Sequence, residues 1–177
     1  GGAGIYEKAN VPNEVLERAT SATGSATLVV QAGNGGKGGS AKNTARATSG
    51  SATIAKIMDS NNTVVWYLEI PGGIGGAGAS TTAGGALGAA GNVANCKYMD
   101  ITNASYSVQN TLACSSIPVL TNVSQGEAGG AGSISTSYAS AGYGGRPKIE
   151  NTVQGSRPQV PNGGSATAIN GGNAGSA

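Results

Sequence analysis

Residues 51–70 read SATIAKIMDSNNTVVWYLEI, two runs of β-favouring side chains on either side of four small polar residues. Val, Ile, Thr, Tyr and Trp suit a pleated, half-buried surface. Asp59, Ser60, Asn61 and Asn62 bond readily to their own backbone and tolerate turn geometry. The stretch predicts a β-hairpin with arms at 51–58 and 63–70. In the second arm Val64, Trp66, Leu68 and Ile70 share one face, and Val65, Tyr67 and Glu69 share the other. The first face is expected to be buried, with Trp66 as its core anchor; the alternative use of a lone tryptophan, as a ligand platform, stays open.

Working outward, SATLVVQAG at 25–33 reads as a strand closed by glycine, and the polar NGGKGGSAKNTARATSG at 34–50 as a loop. Before it, NVPNEVLERATSA at 10–22 predicts a short helix. Asn13 is placed as its cap, Glu14 and Glu17 in its first turns, and Val15, Leu16, Ala19 and Ala22 as a weak apolar stripe. Pro71 ends the hairpin. The segment CKYMDITNASYSVQNTLACSSIPVLTNVS at 96–124 holds two or three short strands, the first two bracketed by its cysteines. From 126 onward the chain returns to glycine, with Pro147, Pro158 and Pro161 marking extended or turning backbone.

The expected fold is therefore mainly β: short antiparallel strands, glycine-rich polyproline-II-like segments and one short N-terminal helix. It is read as a single domain over 1–177, with a helical N-terminal arm at 1–24, a β core at 25–125 and a glycine-rich extended region at 126–177.

Composition narrows the function. The 177 residues include 32 glycines and no phenylalanine; charged residues make up 10%, aromatics 4%, and the net charge is +2. Nucleic-acid binding needs clustered Lys and Arg, whereas the basic residues here are scattered, with only Lys37, Lys42 and Arg46 near one another. No stretch approaches the ~18 apolar residues that span a bilayer, so no membrane span is expected. The sequence opens on Gly1 rather than Met, which fits a processed chain and equally a trimmed one. Cys96 and Cys114 have 17 residues between them and no histidine anywhere to complete a zinc site. A disulfide closing that loop would stabilise a thin core by ~3 kcal/mol and point to an oxidising compartment; two buried free thiols are the competing reading.

Histidine, the commonest general base, is absent, which removes Ser-His-Asp and Cys-His arrangements. Among the acidic residues only Glu14 and Glu17 are close in sequence, and they serve the helix terminus. A pair built by folding, such as Glu69 with Asp100, stays open. DSNN at 59–62 lacks the pattern of a calcium loop, and Asn61, Asn103 and Asn122 stand in N-glycosylation sequons.

The glycines remain. Gly33, Gly35, Gly38 and Gly73, Gly75, Gly78 both satisfy G-x-G-x-x-G after a strand. Neither is followed by an amphipathic helix to meet a phosphate, so nucleotide binding is set aside and no cofactor is expected. A second spacing fits better: glycine at every third position at 33, 36, 39, at Gly72, Gly75, Gly78, at Gly85, Gly88, Gly91, and at Gly126, Gly129, Gly132. An extended helix with three residues per turn would align these into a bare edge on which another backbone can lie. Flexible linkers are the competing reading. The tetrapeptide GSAT also recurs at Gly24, Gly50 and Gly164, each time leading into a more apolar run; its spacing is unequal, and chance recurrence in so Gly-, Ser-, Ala- and Thr-rich a chain is the competing reading.

Short apolar strands alternating with GNGGKGGS, GGIGGAGAS, GEAGGAGS and AGYGG over most of residues 26–177 resemble the glycine-rich domains of bacteriophage tail-fibre and adhesin proteins. That resemblance implies a rigid scaffold of stacked glycine-rich strands whose loops touch a host-surface receptor. The late cysteine pair bracketing a β-rich segment after a short helix is, more faintly, similar to the globular head of bacterial type IV pilins.

Together these readings lead to a non-enzymatic structural subunit of an extracellular filament or fibre, located outside the cell, on its surface or on a virion. Its partners would be copies of itself or a second fibre subunit, joined through the triplet glycines. The alternative is a receptor-binding module recognising host-surface glycans, with Tyr106, Tyr138 and Tyr143 as stacking contacts.

Overall fold

The computed structural model describes residues 2–34, 48–76, 88–129, 133–134, 139–140 and 145–155. Its elements in chain order are β1 (Ile5–Ala9), α1 (Asn13–Thr20), β2 (Thr27–Gln31), β3 (Thr53–Met58), β4 (Val64–Ile70), β5 (Lys97–Asp100), a 3-10 turn at Cys114–Ser116, β6 (Leu120–Gln125), and four two-residue strands. These last are β7 (Ser133–Ile134), β8 (Ala139–Ser140), β9 (Lys148–Ile149) and β10 (Thr152–Val153). The fold is mainly β with antiparallel sheets and one α-helix among the described residues, in accord with the sequence reading.

The hairpin sits at the centre of a four-stranded antiparallel sheet ordered β2-β3-β4-β5. Its turn closes as the residue types require: the Asp59 carboxylate accepts from the Asn61 and Thr63 amides, and Asn62 takes φ +61°. Trp66 and Leu68 are buried, as the alternation demands. Val65 is buried too, which the alternation does not demand. The β3–β4 register shifts where Ile57 faces Trp66 and Met58 faces Val64, leaving Val65 as the extra residue of a β-bulge and freeing it from strict alternation.

Helix α1 lays Val15 and Ala19 into the core beside β4, while Leu16 stays 42% exposed. Asn13 is the first helical residue rather than the cap; that position belongs to Pro12, which offers no side-chain acceptor. The helix ends at Thr20, and the turn after it closes on Gly24, whose φ of +74° is the left-handed geometry that suits glycine and whose amide reaches Thr20 O.

The N-terminal arm departs from expectation. Ile5–Ala9 precedes the helix as a strand and pairs antiparallel with β6, more than a hundred residues away, which no local pattern announces. Between the cysteines lies one strand, β5, rather than two; the rest of that loop is turns held by the Cys96–Leu112 and Asp100–Asn103 bridges. Cys96 and Cys114 form a disulfide, both fully buried. No helix among the described residues is long and apolar enough to cross a membrane.

Candidate functional site

The strands do not stop where their ladders stop. Beyond β2 and β3, Ser51 N donates to Asn34 O; beyond β3 and β4, Gly50 N donates to Gly73 O; beyond β1 and β6, Gly126 N donates to Gly4 O. The two sheets thus run on as extended glycine-rich segments, and there they merge. Gly2 N donates to Ile74 O, Ile74 N to Ala89 O, Gly91 N to Ala3 O, Ala3 N to Glu127 O, Glu127 N to Arg146 O, and Gly129 N to Gly88 O. Residues 2–4 lie at the middle of this bundle, touching 73–74, 89–91, 126–127 and 145.

Glycine is required there for space. A Cβ on Gly73 would stand 2.0 Å from Gly2 O, and one on Gly145 2.0 Å from Glu127 O. Both targets are backbone and neither residue has a positive φ, so close approach rather than torsion sets the requirement. Burial follows a period of three: Gly88 and Gly91 are buried while Ala89 is exposed and Ala90 half-buried, and Gly126 and Gly129 are buried while Ala128 is exposed and Glu127 half-buried. In these two stretches glycine at every third residue faces inward, whereas Gly72, Gly73, Gly75 and Gly76 are all half-buried, without that period.

Of the triplet glycines singled out from the sequence, Gly72, Gly75, Gly88, Gly91, Gly126 and Gly129 lie in this bundle, against segments of their own chain. Gly78, Gly85 and Gly132 lie outside the described residues, as do Tyr138 and Tyr143. The bundle also uses Gly2, Gly73 and Gly145, which the triplet spacing did not select. Only the partner segments, distant in sequence, reveal them.

Three aromatic residues, Trp66, Tyr98 and Tyr106, meet at the core. Tyr98 meets Trp66 edge-on at 6.2 Å and Tyr106 edge-on at 5.0 Å. Tyr106 is therefore half-buried, and only its outer part is open to a ligand. Burial and the neighbouring Asp100 carboxylate push the Tyr98 phenol up to about 12. The Trp66 indole N–H makes no hydrogen bond of proper geometry.

Glu69 and Asp100 do not form a catalytic pair. Asp100 faces Trp66 across the strands and Glu69 faces Lys97, three positions along, so the two carboxylates leave opposite faces of the sheet. Each is engaged locally: Asp100 accepts from Thr102 N, Thr102 Oγ1 and Tyr98 O–H, and Glu69 accepts from Tyr67 O–H and pairs with Lys97 at 3.3 Å. Burial and, after it, that carboxylate raise the Tyr67 phenol to about 12.

One carboxyl is different. Glu7 faces the bulge between β1 and β6, where Asn122 takes φ +58°. Its Oε1 lies 3.6 Å from Cys96 Sγ, and its Oε2 is buried with no hydrogen-bond partner. Burial pushes its pKa up to about 7. Glu7, Cys96 and Cys114 bring three potential ligand atoms within 4.8 Å, but both sulfurs are committed to the disulfide.

The sequon asparagines Asn61, Asn103 and Asn122 are exposed, although Ser124 of the third is buried and accepts the Asn151 amide at 2.7 Å. The last feature is the rim of the larger sheet. Among the described residues nothing pairs with the outer edge of β2, and its Leu28 and Val30 are each 63% exposed.

No protein-family model, curated protein or solved structure matches the chain.

Proposed function

We propose that this chain is a non-enzymatic structural subunit of an extracellular fibre or filament, stiffened by its glycine bundle. The observation that carries the reading is the period-three burial of Gly88, Gly91, Gly126 and Gly129 within a hydrogen-bonded bundle. A chain whose extended segments lock backbone to backbone, with little charge to hydrate, is suited to bearing load and poorly suited to shaping a reactive pocket. The disulfide and the absence of a membrane-crossing helix among the described residues are compatible with a place outside the cell. Because the described seams are taken up inside the chain, contact between copies falls to other surfaces.

Negative-stain micrographs and sedimentation over a wide concentration range test this. Elongated assemblies are expected; a dispersed monomer throughout overturns it.

A receptor-binding module of a phage tail fibre or cell surface is the second reading, and one observation favours it. By the antiparallel bonding of the bundle, Asn34 and Thr48, Gly76 and Gly88, and Gly129 and Gly145, which flank 35–47, 77–87 and 130–144, gather at the end away from the sheets. A glycan array probed with the native chain should then give defined hits. A blank array removes this reading and leaves the first.

A further inference from the structure

Sequence and structure meet at the GSAT repeat. The copy at Gly24 leads into β2 and the copy at Gly50 into β3, and these strands lie side by side, antiparallel, in the four-stranded sheet. The third copy, GSATAIN at 164–170, follows the last described residue, Gly155.

The sheet has room for another strand beside β2. In register, Leu28 faces Ile57 and Val30 faces Ala55, and those residues in turn face Trp66 and Leu68. Cross-strand partners share a face, so Leu28 and Val30 extend the same apolar face that buries Trp66, yet each is 63% exposed. The outer edge of β2 presents unpaired amides and carbonyls with no guarding charge: the sequence carries none between Arg18 and Lys37. The incoming segment carries none either, from Pro158 to Ala177, so pairing desolvates no charge on either side. As a strand it places Ser165, Thr167 and Ile169 on one face, which lays Ile169 onto the apolar step at Leu28 and Val30.

The described chain ends at Gly155, two residues past β10, and β9 packs on β1 and β6. Eight residues, among them Pro158 and Pro161, separate Gly155 from the third repeat at Gly164.

We propose that Gly164–Asn170 of one copy adds as a fifth strand to the open β2 edge of the next copy, completing the GSAT sheet between subunits. Such a contact joins two different surfaces and need not close on itself, so it propagates into a filament. The inference rests on the fibre reading and names its joint.

The test uses full-length chains with one added cysteine each. Val30→Cys or Leu28→Cys protein is mixed with Thr167→Cys protein under mild oxidation, the native disulfide being fully buried. A mixed disulfide dimer is expected, and a Leu28→Lys/Val30→Lys variant should lose assembly while keeping the tryptophan emission of the native core. Assemblies that form without the mixed dimer overturn the joint but spare the fibre reading. Val30→Cys homodimers alone would mean that two β2 edges pair with each other, and also overturn it. A Val30→Cys/Thr167→Cys double variant that cross-links only within monomers shows the strand folding back on its own chain. Absence of any assembly overturns joint and fibre together.

Discussion

A methyl group at Gly145 would have nowhere to go, since its neighbours Glu127 O and Ala3 N belong to the backbone of two other segments. Gly145→Ala should therefore cost about 1–3 kcal/mol by overpacking, while Gly4→Ala, where nothing lies within 4 Å, should stay within ~0.5 kcal/mol. Urea denaturation of the two variants makes the comparison, and equal effects would deny the bundle its close packing. Glu7 supplies a second test at this scale. Its folded pKa, raised by burial from the ordinary 4.5 to about 7, means that the native state holds a proton the unfolded state releases. The associated stability is complete below about pH 4.5 and is lost as pH rises towards and through 7. Glu7→Gln should abolish that decline in a series of thermal melts, and an unchanged slope would place its origin elsewhere. The half-buried Glu7 was not legible in the sequence, because its environment is made by β6 and the disulfide, both remote along the chain.

Elements closed by neighbouring residues follow from local chemistry. The hairpin is one, with its turn held by Asp59, and the helix another, with the turn after it closed by Gly24. Elements closed by distant residues do not: β1 needs β6, and Val65 turns inward only because the β3–β4 register slips by one residue. The loop from Cys96 to Cys114 depends on both kinds of contact. It contains one strand and several turns, and the disulfide pins it where Cys96 bridges Leu112 and Cys114 N reaches Val93 O. Replacing both cysteines by alanine should lower stability by ~2–5 kcal/mol, read as an earlier urea midpoint. A loss below ~1 kcal/mol would mean that packing alone orders the loop.

At the scale of the whole molecule, two sheets continue into one glycine bundle, so the bundle should be as ordered as the sheets. Native-state hydrogen exchange should find the amides of Gly50, Ile74, Gly91, Gly126 and Gly129 protected, since each donates to a backbone carbonyl of another segment. Exchange at random-coil rates there would reduce these segments to linkers and remove the basis of the fibre reading. Local runs and turn residues determined that the chain would be mainly β, composition that it is poor in charge and rich in glycine, and the cysteine count allowed a single disulfide. Local spacing also found the glycines at 88, 91, 126 and 129, because a three-residue period needs no partner to be recognised. Only the tertiary structure decided what those glycines face, that residues 2–4 occupy the middle of the bundle, and that β2 is left at a sheet edge. The reason is physical: a glycine has no side chain with which to specify a neighbour, so its partner is chosen by the sheets that bring the backbones together.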